Sequence, residues 1–417
     1  MTAPATERVH TPAWRAGFTT ILAVAMATGT LSQFAFAVLA PFLIREFDIS
    51  RFQLGLLTTA MFAIGALGSL PAGRLVDRFG GRRVLVVSMA IVTVAILGMA
   101  AAPVFPVMVV GAAVVGCSLA AGNPTTNKLV AVHIPPGQRG VIMGVKQAGV
   151  QVAGFAVGAL LPTMARVTDW RFALAVMSVV PIVGIGVALW VIPRDRGAES
   201  RLDRRPPAFD ALKPVVRTTA IYGFLMGLGV AATSAYLPLY AEERLGMPVT
   251  TAGLVAATVG GVGVFSRVLW GWVTERRGRF FLPMAVLGVG SATATLLVIV
   301  AESAGAGWLW VSAILHGATA ITWNSVGMLL VLAEVGTEEA GRASGWVLLG
   351  FYGGFAVSPT LFGYSVDASG SYILGWSAVT VIFAVAAALA WTWYRRRARA
   401  RKAAAPRQEN LSRTPKS

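Results

Sequence analysis

GRLVDRFGGRR, residues Gly73–Arg83, sits between two long apolar runs, and a weaker copy, GWVTERRGR at Gly271–Arg279, lies 198 residues further on. The copies align without gaps, Gly73 on Gly271, Asp77 on Glu275 and Arg78 on Arg276. Each falls between the second and third apolar segments of its half, so one half of the chain repeats the other. Further echoes agree. Pro41 matches Pro238 at an offset of 197, and Asn123 matches Asn324 at 201. Gly140-x-x-x-Gly144 matches Gly341-x-x-x-Gly345, also at 201.

Composition sets the solvent. The chain is 56% apolar and 13% charged, with a mean hydropathy of +0.70, against roughly 25% charged residues in soluble domains. A bilayer core about 30 Å thick takes roughly 20 apolar residues per helix. Runs of that length lie near 17–42, 53–72, 84–102, 107–133, 141–162 and 172–192, then near 218–240, 252–274, 281–301, 308–333, 343–364 and 372–393. The expected fold is all-α, with twelve membrane-spanning helices in two pseudo-symmetric six-helix bundles, numbered here as spans 1 to 12. The runs are too long and too uniformly apolar for barrel strands. The expected organisation is a first bundle over 1–192, a cytoplasmic linker over 193–217, a second bundle over 218–394, and a basic, unstructured tail over 395–417.

A net charge of +17 invites a nucleic-acid partner, but its distribution argues against one. With both termini inside, 27 of the 35 Lys and Arg fall in cytoplasmic segments. Five fall in outer loops (Arg45, Arg51, Arg166, Arg171 and Arg244), and three lie within spans. That is the positive-inside bias, so the basic excess orients the chain in a membrane. The tail then lies near anionic headgroups. The expected location is a bacterial inner membrane. A lone Cys117 excludes a disulfide framework and a Cys-based metal site. No phosphate-binding Gly-x-x-x-x-Gly-Lys-(Ser/Thr) loop occurs and no catalytic constellation is visible. Neither an enzyme nor a cofactor is expected.

The pattern Gly-x-x-x-Asp-Arg-x-Gly-(Gly/Arg)-Arg-Arg resembles the loop motif of the major facilitator superfamily, and the likeness covers roughly residues 15 to 395. The resemblance implies a monomeric secondary transporter, with the substrate held between the two bundles near the midplane. It also implies that Asp77 latches the cytoplasmic side against a helix N-terminus and nearby arginines, a placement the helix dipole favours. Gly73, Asp77, Arg78, Gly80, Arg82 and Arg83 form the expected gate, with Gly271, Glu275 and Arg276 as its weaker copy. Gly73 is expected to allow close helix approach.

The charges inside the spans carry the substrate question. No Asp or Glu lies at a span centre, yet Lys128, Lys146 and Arg267 lie in spans 4, 5 and 8. A centred Lys or Arg costs roughly 2.5–3.5 kcal/mol on insertion scales, so a partner or a cavity is expected. An anionic substrate would supply the missing charge. Snorkelling to the headgroups is the competing account of Lys128 and Lys146. Arg267-x-x-x-Gly271 resembles the eighth helix of monocarboxylate, oxalate and nitrate carriers. The stretch MGVKQAGVQVAGFAVGALLP resembles the fifth helix of small-anion facilitators, including the cyanate porters. Gln147, Asn123, Asn324, Tyr236 and Tyr352 complete the expected site. His316, a lone histidine in span 10, is either a proton relay or a hydrogen-bonded structural residue. The favoured function is proton-coupled movement of a small organic anion. Proton-linked efflux of drugs or secondary metabolites is the alternative.

Overall fold

The computed structural model describes residues 11–135, 138–194, 213–277, 280–335 and 340–412. Among them every regular element is a helix. Eleven helices are long and apolar enough to cross a membrane, and a bent pair supplies the twelfth span. The expected linker falls largely outside the described residues.

That bent pair is span 1. Pro12–Thr28 and Leu31–Phe47 meet at 45° across Gly29 and Thr30. Thr11 opens the first segment, its hydroxyl accepting from the Trp14 amide at 3.2 Å, with Pro12 at a position that needs no amide partner. At the break, Thr30 donates its hydroxyl to the Ala27 carbonyl at 3.0 Å. The same carbonyl also accepts the Thr30 amide at 2.9 Å, so the break leaves it doubly satisfied.

Span 2 covers Arg51–Phe79 and starts with a Ser50/Gln53 capping box. Span 3 covers Gly81–Ala100, span 4 Phe105–His133 and span 5 Arg139–Val167. Span 6 is built from Trp170–Val176 and Val179–Val191. In the second half, span 7 covers Pro214–Glu243, span 8 Val249–Arg277 and span 9 Phe281–Ala304. Span 10 is interrupted, with Gly307–Ala318 followed by Trp323–Val335. Span 11 covers Ala340–Ser369 and span 12 Ile373–Ser412.

Two expectations need correction. The Gly73–Arg83 stretch is not a loop: helix persists through Phe79, and Gly80 alone turns the chain, at φ 86° and ψ 154°. A side chain would strain that conformation, so the glycine is required there. The tail from Arg395, expected to lack structure, continues as helix to Ser412. RRRARARKAAA is dense in strong helix formers, and their propensity outweighs the charge.

The halves meet along two seams, span 2 against span 11 and span 5 against span 8, with the second segment of span 1 also packed on span 7. Outward faces carry apolar side chains, such as Leu67, Phe265 and Trp190, as lipid contact demands.

Candidate functional site

One end of the molecule is closed across the halves. The Arg51 guanidinium donates to Glu243 Oε2 from Nε at 3.0 Å and Nη2 at 2.8 Å, and lies 3.5 Å from Asp367. Arg45 pairs with Glu242 at 2.6 Å. Thr59 and Thr360 hydroxyls meet at 2.7 Å. Backbones touch as well. A Cβ at Gly55 would lie 2.6 Å from the Pro359 carbonyl oxygen, and one at Gly158 would lie 2.7 Å from the Gly253 carbonyl oxygen.

The opposite end, where Asp77 lies, is different. Gly73 and Gly345 sit on the span 2/span 11 pair, and Gly271 and Gly144 on the span 8/span 5 pair. At all four a Cβ would meet nothing within 4 Å. Close approach through Gly73, expected from the sequence, is therefore not made in this conformation. Among the described residues, these contacts join the halves at the Arg51 end, while the four glycines at the Asp77 end stand clear of any neighbour.

Among the described residues, the partner of Asp77 is neither an arginine nor a helix N-terminus. Lys128 of span 4 donates to Asp77 Oδ1 at 2.9 Å and to the Val76 carbonyl at 3.0 Å. Arg78 stacks on neighbouring Phe79, with 5.2 Å from guanidinium carbon to ring centroid. Arg82 donates to the Leu189 carbonyl at the end of span 6, while Arg83 is exposed. In the second copy Glu275 is exposed, and Arg276 lies 4.3 Å from the Trp272 ring centroid.

Between the seams lies a cavity lined by both halves. Arg267, Gln147, Asn123, Asn324 and Tyr352 all line it, so five of the expected site residues converge. Arg267 reaches the Gln147 carbonyl at 3.5 Å and the Ile321 carbonyl at 3.3 Å, both long contacts for a charged donor. Its Nε is buried without a partner, and so is Asn324 Oδ1. Gln147 donates to Asn123 Oδ1 at 2.9 Å. The wall presents a guanidinium with unspent donors and no recorded carboxylate partner.

Three other expected contacts lie elsewhere. Lys128 is held by Asp77, near the end of span 2. Lys146 is fully buried but turns toward span 4, where Thr126 Oγ1 at 2.8 Å and Asn127 Oδ1 accept from it. Tyr236 belongs to the closed end, its hydroxyl 2.7 Å from the Arg51 carbonyl and 2.8 Å from the Pro359 carbonyl.

His316 lines a second cavity, which shares Phe34, Gln151, Val230, Ser234, Ala320 and Ile321 with the first. Its Nδ1 faces the Ser312 carbonyl at 3.2 Å and the Ser312 hydroxyl at 3.3 Å. Its Nε2 faces the hydroxyls of Thr233 and Thr295, each at 3.4 Å. Those three hydroxyls already donate to the carbonyls of Ala294, Gly229 and Ser291. Each ring nitrogen therefore faces hydroxyl or carbonyl oxygens, and which of the two carries the proton depends on the tautomer.

Sequence reasoning missed the closed end, formed by outer-loop and span-end residues, and the aromatic lining from Phe62, Phe351 and Phe355. Strict separation of apolar and polar residues along the spans gives little hint of either.

The Major Facilitator Superfamily model matches residues 22–359. The chain belongs to that superfamily. It is a multi-pass membrane transporter and not an enzyme. It is 22% identical over 369 residues to the hexuronate transporter of Bacillus subtilis (strain 168), covering 82% of this chain and 86% of that one. It is 28% identical over 248 residues to a probable nitrate/nitrite transporter of Mycobacterium tuberculosis (strain CDC 1551 / Oshkosh), covering 56% and 60%. Among solved structures, a bacterial homologue of the human lysosomal transporter Spinster, crystallised inward-facing and unoccupied, superposes with a TM-score of 0.71. That match is at 18% identity, over 92% of this chain and 98% of the other, and shows the superfamily fold.

Proposed function

We propose that this superfamily member moves a small organic anion across a bacterial inner membrane, with both termini cytoplasmic, by alternating access coupled to protons. The observation that carries the substrate class is Arg267, whose guanidinium lines the inter-half cavity with Nε unpartnered. A buried charge without a counter-ion is costly, and a bound carboxylate with its planar oxygens matches the fork. Two relatives named for hexuronate and for nitrate/nitrite support a negatively charged cargo. The oxygen shell of His316, beside a cavity that shares walls with the first, supports a proton site there. The halves, 1–192 and 218–394, would be the rocking bodies, Asp77 and its neighbours the gate, and the monomer the working unit.

The test is uptake by proteoliposomes across a panel of organic anions, inorganic oxyanions and cationic drugs, with pH and voltage gradients set separately. Anion uptake that a pH gradient drives and Arg267→Ala impairs is the expected result. Transport of a cationic or neutral drug alone, with Arg267→Ala fully active, would overturn the substrate class and its site together.

A further inference from the structure

The two seams line different parts of the cavity with different chemistry. From the span 5/span 8 side come Arg267, Gln147 and Gln151. From the span 2/span 11 side come Phe62, Phe351, Tyr352 and Phe355, and Trp323 of span 10 extends that wall. These rings form one connected set drawn from both halves. Phe62 and Phe355 centroids are 4.3 Å apart, Phe351 and Phe355 4.8 Å, and Trp323 and Phe351 5.1 Å. Phe62 and Tyr352 meet edge-on at 5.5 Å. Phe351 remains partly exposed while its neighbours are buried, so its ring is the accessible part of the wall. The cavity is thus charged on one side and aromatic on the other.

We infer that the cargo is an aryl carboxylate. Resting on the anion assignment above, its single carboxylate would meet Arg267 and its ring would lie against Phe351 and the rings behind it. A compact oxyanion would satisfy Arg267 and leave the ring wall facing water, forgoing the burial of apolar surface that drives such binding. A sugar acid would have several hydroxyls to satisfy against a wall that is mostly ring surface. An aromatic ring packs there in offset or edge-on geometry. The unpartnered Asn324 Oδ1 in the same lining would accept from a hydroxyl or amino group on that ring.

The experiment uses the full chain in lipid nanodiscs, with binding read by tryptophan fluorescence and by competition, and phenylacetate, acetate, glucuronate and nitrate as probes. Phenylacetate should bind at least about tenfold more tightly than acetate, which differs by the ring alone. Phe351→Leu should weaken phenylacetate about three- to tenfold and leave acetate unchanged, and Arg267→Ala should weaken both. Equal affinity for phenylacetate and acetate in the native protein overturns the ring wall without requiring any variant to fold. Glucuronate or nitrate binding with phenylacetate inert overturns the aryl assignment and leaves the anion assignment standing. No binding of any of the four anions, alongside binding of a cationic drug, overturns both.

Discussion

Lys128 Nζ lies 2.9 Å from Asp77 Oδ1, tying span 4 to the end of span 2 within one half. In this conformation the carboxylate is held by a partner from its own bundle. Under the gating role proposed for Asp77, closure at that end would turn the carboxylate from Lys128 toward the other half. The pair is about a quarter exposed, at 21% and 28% of side-chain surface, and such pairs contribute about 1 kcal/mol or less. Asp77→Asn should therefore leave the fold intact and slow turnover strongly, with affinity from the outside kept within a few-fold, because it alters the balance of conformations. Unchanged turnover in a properly inserted variant, measured by exchange in proteoliposomes, would sink the latch.

Closure of the Arg51 end can be trapped. Thr59→Cys with Thr360→Cys places two thiols where hydroxyls now touch at 2.7 Å. Oxidation should cross-link the halves and stop transport, and reductant should restore it. Adding Arg51→Ala removes the contacts to Glu243 and Asp367, so cross-linking should slow several-fold. Cross-linking at an unaltered rate would show that Arg51 has no part in holding this end shut.

The glycines divide by end. Gly55→Ala forces a Cβ against the Pro359 carbonyl and should lower thermal stability, by about 1–3 kcal/mol for overpacking. Gly73→Ala and Gly345→Ala meet open space, so thermal stability should hold while turnover falls as the Asp77 end fails to close. A parallel loss of stability in all three would remove the distinction.

His316→Gln keeps hydrogen bonding and removes the second proton. Uptake driven by a pH gradient should be lost while downhill exchange is preserved. Retention of full pH-driven uptake would instead leave the proton to the substrate's own acid group.

Arg267→Lys keeps the charge and loses the planar fork, so it should weaken binding markedly despite its modest appearance. Arg267→Ala should cost one charged hydrogen bond, about 1.5–3 kcal/mol or more than tenfold in affinity. Titration of ligand against purified variants measures both.

The fold was legible because span length, loop charge and the duplicated motif are properties of the chain read in order. The site was legible in part, since depth in the membrane can be counted but the direction a side chain takes around its helix cannot. Arg267, Gln147, Asn123, Asn324 and Tyr352 were placed at the right depth and happen to face inward. Lys146 sits one residue before Gln147, yet that step of about 100° turns it to span 4. With Asp77 placed in a loop, Lys128 lacks a carboxylate, whereas helix carries Asp77 to within its reach. Tyr236 was placed in the correct span but beyond the cavity, at the Arg51 end.

The wall between the cavities of Arg267 and His316 has one further consequence. Gln151, Ser234 and Ile321 cannot shift to admit an occupant on one side without changing the shape of the other. If the proton on His316 changes the affinity for cargo by some factor, cargo must change the affinity for that proton by the same factor. Coupling between the two ligands then needs no direct contact: a partition that both deform suffices to link their affinities.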